Sequence, residues 1–155
     1  MRDALGGLVN IAIIVVFLVI VSGYLAFNVN YTKAFRVKNK IISTIENMEG
    51  LQDFNDPTKS QVKAFENSIG YDVSIPKSAS LPTVPIGESK WQEHKEYGCY
   101  IREVTDETGA SDATKKKYYE VITFVTVDIP IIKKIMPQFP FFQVKGATKS
   151  IKVYN

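Results

Sequence analysis

"LVNIAIIVVFLVIVSGYLAFNVNYTKAFRVK" (Leu8–Lys38) carries no charge before Lys33, and then Lys33, Arg36, Lys38 and, just beyond, Lys40 follow without an acid among them. Leu8 to Phe27 is about 20 residues, enough at ~1.5 Å rise per residue to cross a hydrocarbon core of ~30 Å. Only Asn10, Ser22, Gly23 and Tyr24 interrupt the aliphatics. A cleavable secretion signal has a shorter apolar region, followed by small residues three and one places before the cut. Here the best candidate, "YLA", puts Tyr24 where a small residue belongs. Residues 1–30 therefore read as a retained transmembrane anchor.

The next stretch, "YTKAFRVKNKIISTIENMEG", contains no proline, and Ala34, Val37, Ile41, Ile45 and Met48 recur every three or four residues. That spacing is one stripe of a 3.6-residue period. It predicts a single helix from about Leu8 to Glu49, roughly 60 Å long at ~1.5 Å per residue, with Gly50 as its C-terminal cap. Residues 31–50 are then an amphipathic stalk, and 51–155 a head domain.

Within the head, "KSQVKAFENSIG" predicts a short helix capped by Ser60, with Val62, Phe65 and Ile69 on one face and Gly70 closing it. "YDVSIP" alternates like a brief strand, and the proline- and serine-rich run that follows reads as a loop. "YGCYIREV" (Tyr97–Val104) and "YYEVITFVTVDI" (Tyr118–Ile129) are β-branched and aromatic, the two arms of a long hairpin. After Pro130, "IIKKIM" has room for one helical turn before Pro137 and Pro140, and "FFQVKGATKSIKVY" returns as a last strand. The fold class is α+β: the long helix's stripe and the short helix cover an antiparallel sheet of three or four strands.

Composition narrows function by exclusion. The net charge is +3, and the four basic residues after the span exceed it, leaving the rest of the chain at −1. A nucleic-acid surface needs its excess on the folded body, so none is expected, nor is a small-molecule substrate or a cofactor. His94 and Cys99 are the chain's one histidine and one cysteine. Strict period-two alternation over five residues turns their side chains to opposite faces, and two such ligands do not fill a zinc site. Asp53 with Asp56, and Asp106 with Glu107, fall in turns. Trp91 reads as a lid on the core, and Lys115–Lys117 as the solvated shoulder of the hairpin. No enzymatic constellation results.

The architecture, and above all "YYEVITFVTVDIPIIKKIMPQFPFFQVKGATKSIKVY" (Tyr118–Tyr154), resembles the TadE-like minor pilin proteins of tight-adherence pilus and secretion systems. The resemblance implies a non-catalytic, single-pass subunit of the cytoplasmic membrane with its head outside. Its implied partners are the lipid bilayer and other pilin-like subunits or assembly-platform proteins. Two departures stand out. Prepilin-type processing after Gly6 or Gly7 wants a glutamate five residues on, where this chain has Ile11 or Ala12, so both glycines read more simply as a turn at the membrane surface. Many relatives also carry paired cysteines, and this chain has Cys99 alone. Asn10, and Ser22 with Ala26 as a small-xxx-small pair, are the helix-association candidates. Lys33, Arg36 and Lys40 form one helical face suited to anionic headgroups or a neighbouring stalk. Counted by the positive-inside rule the same basic residues favour a cytoplasmic head, in conflict with the resemblance. An anchored binding module without a filament role is the alternative reading, and an anchored enzyme a more distant one.

Overall fold

The computed structural model describes residues 2–50, 56–71, 75, 81–85, 88–106, 115–125 and 142–153. One helix, α1, runs unbroken from Arg2 to Asn47, roughly 70 Å at ~1.5 Å per residue. It ends in a double turn of hydrogen bonds: Gly50 N–H donates to Ile45 O at 3.2 Å and Glu49 N–H to Glu46 O at 3.2 Å. The expected cap at Gly50 is displaced by one residue, because Glu49 takes the left-handed position (φ 55°) and Gly50 follows at φ 136°. Helix α2 spans Asp56–Ile69. It starts earlier than expected, since Pro57 has no N–H to satisfy and fits a first turn; Ser60 consequently lies inside the helix. Gly70 does close it, at φ 62°, with Tyr71 N–H donating back to Glu66 O at 3.0 Å.

The sheet is antiparallel. Strand β1 (Gln92–His94) and a 3₁₀ turn (Lys95–Tyr97) lead into β2 (Cys99–Asp106), which pairs with β3 (Lys115–Val125). The expected hairpin is present, with Lys115–Lys117 drawn into β3 rather than left on a shoulder. The last strand arrives in two pieces on the same side of β3: β4 (Phe142–Ala147) beside Glu120–Val125, and β5 (Ile151–Val153) beside Lys115–Lys117. Four steps from Ala147 to Ile151 oppose three from Glu120 to Lys117, so one extra residue is accommodated as a bulge. Thr148 holds it: its N–H donates to Tyr119 O and its Oγ1 accepts from Tyr119 N–H, each at 2.9 Å. Lys149 N–H donates to Glu46 Oε1 at 2.8 Å, tying the bulge to the end of α1. Five strand segments thus make a sheet four strands wide, in an α+β arrangement. Tyr71 and Ile75 are not in a strand, and the rest of "YDVSIP" apart from these two, and all of "IIKKIM", lie outside the described residues.

Alternation along β3 sends Tyr119, Val121, Thr123 and Val125 to one face. There they meet the α1 stripe: Ala34, Val37 and Ile41 are fully buried, Ile45 nearly so, and Met48 half-buried. Val62 of α2 and Cys99 and Ile101 of β2 complete this core. Each fully buried aliphatic contributes roughly 1.5–3 kcal/mol. Thr123 Oγ1 also donates to Ala34 O at 3.0 Å, fixing the helix's position along the sheet. Gly146 of β4 sits directly under the helix, where a Cβ would lie 2.9 Å from Ile42 Cδ1 and from Lys38 Cδ. On the opposite face, Ile122 and Phe124 are buried as well. Trp91, donating from Nε1 to Pro82 O at 3.2 Å, and Arg102, 5.2 Å from the Trp91 ring, cover part of that side.

Candidate functional site

From Gly6 to Ser22, α1 packs against no other element of the chain. Every residue from Gly6 to Ser22 is exposed, including Leu8, Phe17 and Ile20 at 64%, 62% and 63%. Such uniform exposure separates it from the core helix of a soluble protein, which would be covered; this helix is long and apolar enough to cross a membrane. Asn10 and Ser22 lie on this bare surface, and Ala26 is half-buried at its upper end. Gly6 and Gly7 lie within the continuous α1 helix rather than in the turn expected of them, and a Cβ on either would meet no neighbouring side chain within 4 Å.

Contact with the head begins at Phe27, a turn before the expected stalk boundary. Its ring stands edge-on to Phe142 of β4 at 5.0 Å and 6.2 Å from Tyr31. Exposed Tyr24, Tyr31 and Phe142 therefore form a partial aromatic collar where the bare helix meets the domain, the position such rings favour between hydrocarbon and water.

The basic residues above the collar separate into different roles. Lys33 Nζ donates to Gly70 O at 3.0 Å, closing the end of α2. Arg36 is exposed and Lys40 half-buried. Lys38, only 7% exposed, lies with Nζ 4.2 Å over the Phe35 ring, and burial pushes its pKa below the ordinary lysine value. Between α1 and the C-terminal end of α2 opens a cleft of ≈ 500 Å³, lined by Leu25, Asn28, Val29, Thr32, Lys33, Arg36, Ser68 and Ile69. The α2 wall escaped sequence reasoning, because nothing local in "ENSIG" says which turn of α1 it will meet.

The thiol and imidazole require a correction. His94 and Cys99 are cross-strand partners in the β1–β2 pairing; the 3₁₀ turn reverses the chain, so they share a face instead of pointing apart. Their proximity does not activate the thiol. Cys99 is fully buried, and burial, reinforced by the Glu66 carboxylate, pushes its pKa up, away from the nucleophilic thiolate. Burial also lowers the His94 pKa, against Glu96. Among the described residues no group of three histidines, cysteines or acids is placed to hold a metal.

A second cleft, ≈ 430 Å³, lies on the far face of the sheet between Pro82, Trp91, Arg102, Glu120, Ile122 and Lys145. Arg102 is almost enclosed there, paired with Glu88 at 2.7 Å and Glu120 at 2.8 Å. Its charge is thus already answered from within the chain, and the cleft offers Trp91 and exposed Lys145 beside it. Trp91, half-buried, forms one wall of this cleft.

Comparison with protein-family models, curated proteins and solved structures finds no match to this chain.

Proposed function

We propose that this chain is a non-catalytic, single-pass, pilin-like subunit of a pilus or secretion assembly, its helix retained in the cytoplasmic membrane and its α+β head outside. One observation carries the reading: the same uninterrupted helix is bare on all sides from Gly6 to Ser22 and fully buried along one stripe against an antiparallel sheet from Ala34 to Ile45. A helix divided in this way supplies an anchor and a domain core together, which is the division of labour expected of a subunit that packs by its stalk. The TadE-like resemblance of Tyr118–Tyr154 supports the same reading. The partners would be the bilayer, other pilin-like chains and assembly-platform proteins, met through Asn10 on one side of the helix or the Ser22–Ala26 pair on another.

The far-face cleft beside Trp91 favours the alternative, an anchored binding module. Cross-linking separates the two. Because Cys99 is buried, a cysteine introduced as Ser22→Cys or Ala26→Cys is a cleanly reactive thiol. Oxidation of intact membranes should join it by a disulfide to the same introduced cysteine of a second copy. Monomer alone at both positions, with the protein abundant and membrane-bound, would reject the assembly role and leave the module.

A further inference from the structure

We infer that the cleft between α1 and the C-terminal end of α2 binds the headgroup of an anionic phospholipid, whose acyl chain runs down past Leu25. The inference rests on the membrane-anchor reading above and adds to it a specific ligand class. The lining is graded along the helix axis. Leu25 and Val29, 58% and 54% exposed, stand at the bottom; Asn28 and Thr32 follow, and then Lys33 and Arg36, with Ser68 and Ile69 as the opposing wall. Counting ~20 residues from Leu8 places the hydrocarbon edge near Phe27, so the apolar part of the cleft meets acyl chain and the basic part meets headgroup phosphate. Side chains on a helix lean toward its N-terminus, which here directs Lys33 and Arg36 back toward the bilayer.

Charge complementarity selects the ligand. No acidic side chain lines the cleft, and Arg36 enters no ion pair among the described residues. Lys33 is already held by its bond to Gly70 O, so one cation is placed before any ligand arrives. A guanidinium beside a fixed ammonium suits a phosphodiester, with Asn28 able to donate from its amide. Closure on one side by α2 distinguishes this site from the diffuse attraction of any basic segment for a negative membrane surface.

The test uses the full chain reconstituted in vesicles of phosphatidylcholine containing a minor share of phosphatidylglycerol, with retained lipids read by native mass spectrometry. The wild type should retain phosphatidylglycerol well above its share. Lys33→Gln/Arg36→Gln should lose roughly five-fold for each charge removed, whereas Lys116→Gln/Lys149→Gln, the same charge change elsewhere on the head, should retain it. Should the double variant fail to fold, exposed Arg36→Gln alone should lose roughly five-fold. Equal losses in both pairs, no preference in the wild type, or displacement of the lipid by inorganic phosphate would each overturn the site. So would zero-length cross-linking of Lys33 to a carboxylate on another chain, which would put a protein neighbour in the cleft. A chain that does not float with the vesicles would overturn the anchor reading itself, before any lipid is counted.

Discussion

Glu66 is 1% exposed, and neither carboxylate oxygen has a hydrogen-bond partner among the described residues. Burial pushes its pKa up to about 7, against the pull of Lys63 on the same helix. Cys99 faces it from β2, and α2 packs on the 3₁₀ turn that follows His94 and contains Glu96 and Tyr97. The native state thus holds a proton that the unfolded chain releases near 4.5. Stability from this residue is fullest below that value, declines as pH rises toward about 7, and is level above it. Glu66→Gln should remove the slope and add roughly 3 kcal/mol at pH 8; denaturant melts of both chains from acid to mild alkali would check it, and a wild type that gains stability across this window would refute it. Glu66 was legible in hindsight: Val62, Glu66 and Ile69 are spaced four and three apart, one helical stripe, but a charge on a stripe reads as solvated until something buries it. Glu49 makes a second test. Its left-handed φ of 55° strains a residue with a Cβ by about 1 kcal/mol, so Glu49→Gly should raise the melting temperature by a few degrees, and a fall would show that the Glu49 side chain matters more than its backbone.

Among the elements, α1 was the most legible, because a 3.6-residue period and the absence of any breaker are local facts. The stripe from Ala34 to Ile45 is buried as its spacing implied. A head beginning at Asn47 should accordingly fail to reach the stability of one beginning at Ala34. The loss of Val37, Ile41 and Ile45 removes roughly 1.5–3 kcal/mol apiece, and equal melting temperatures would mean the stripe serves something other than the sheet. Less legible was the break between β4 and β5. Nothing in "GATKSI" announces one extra residue, which shows only once Thr148 is seen bonded to Tyr119. Gly146 belongs here too: α1 comes close to β4 because that residue has no Cβ. Gly146→Val should cost about 1–3 kcal/mol through overpacking and loosen α1 from the sheet, seen as faster hydrogen exchange along Ala34–Ile42. Unchanged exchange would mean Ile42 and Lys38 simply move aside.

At the scale of the whole molecule, the α+β class and the hairpin followed from composition shifts along the chain, whereas the two clefts did not, since each joins residues far apart in sequence. Compartment is the question that a protease answers. Lys115–Lys117 is a poor target, being paired in β3 with Lys117 held by Glu103 at 2.8 Å; exposed, irregular Lys90 is a better one. Trypsin added to intact wall-stripped cells should release a fragment cut at Lys90 that Lys90→Gln abolishes. Cutting only after permeabilisation would put the head in the cytoplasm and reject the pilus assignment. The unbroken α1 has, finally, a mechanical consequence. Anchor and domain core are one rod without a hinge, so a pull on the head along the membrane normal is not taken up by stretching a linker. It loads the seam between helix and sheet in shear, where the contacts from Ala34 to Ile45 and the Thr123 bond to Ala34 must yield together rather than one after another.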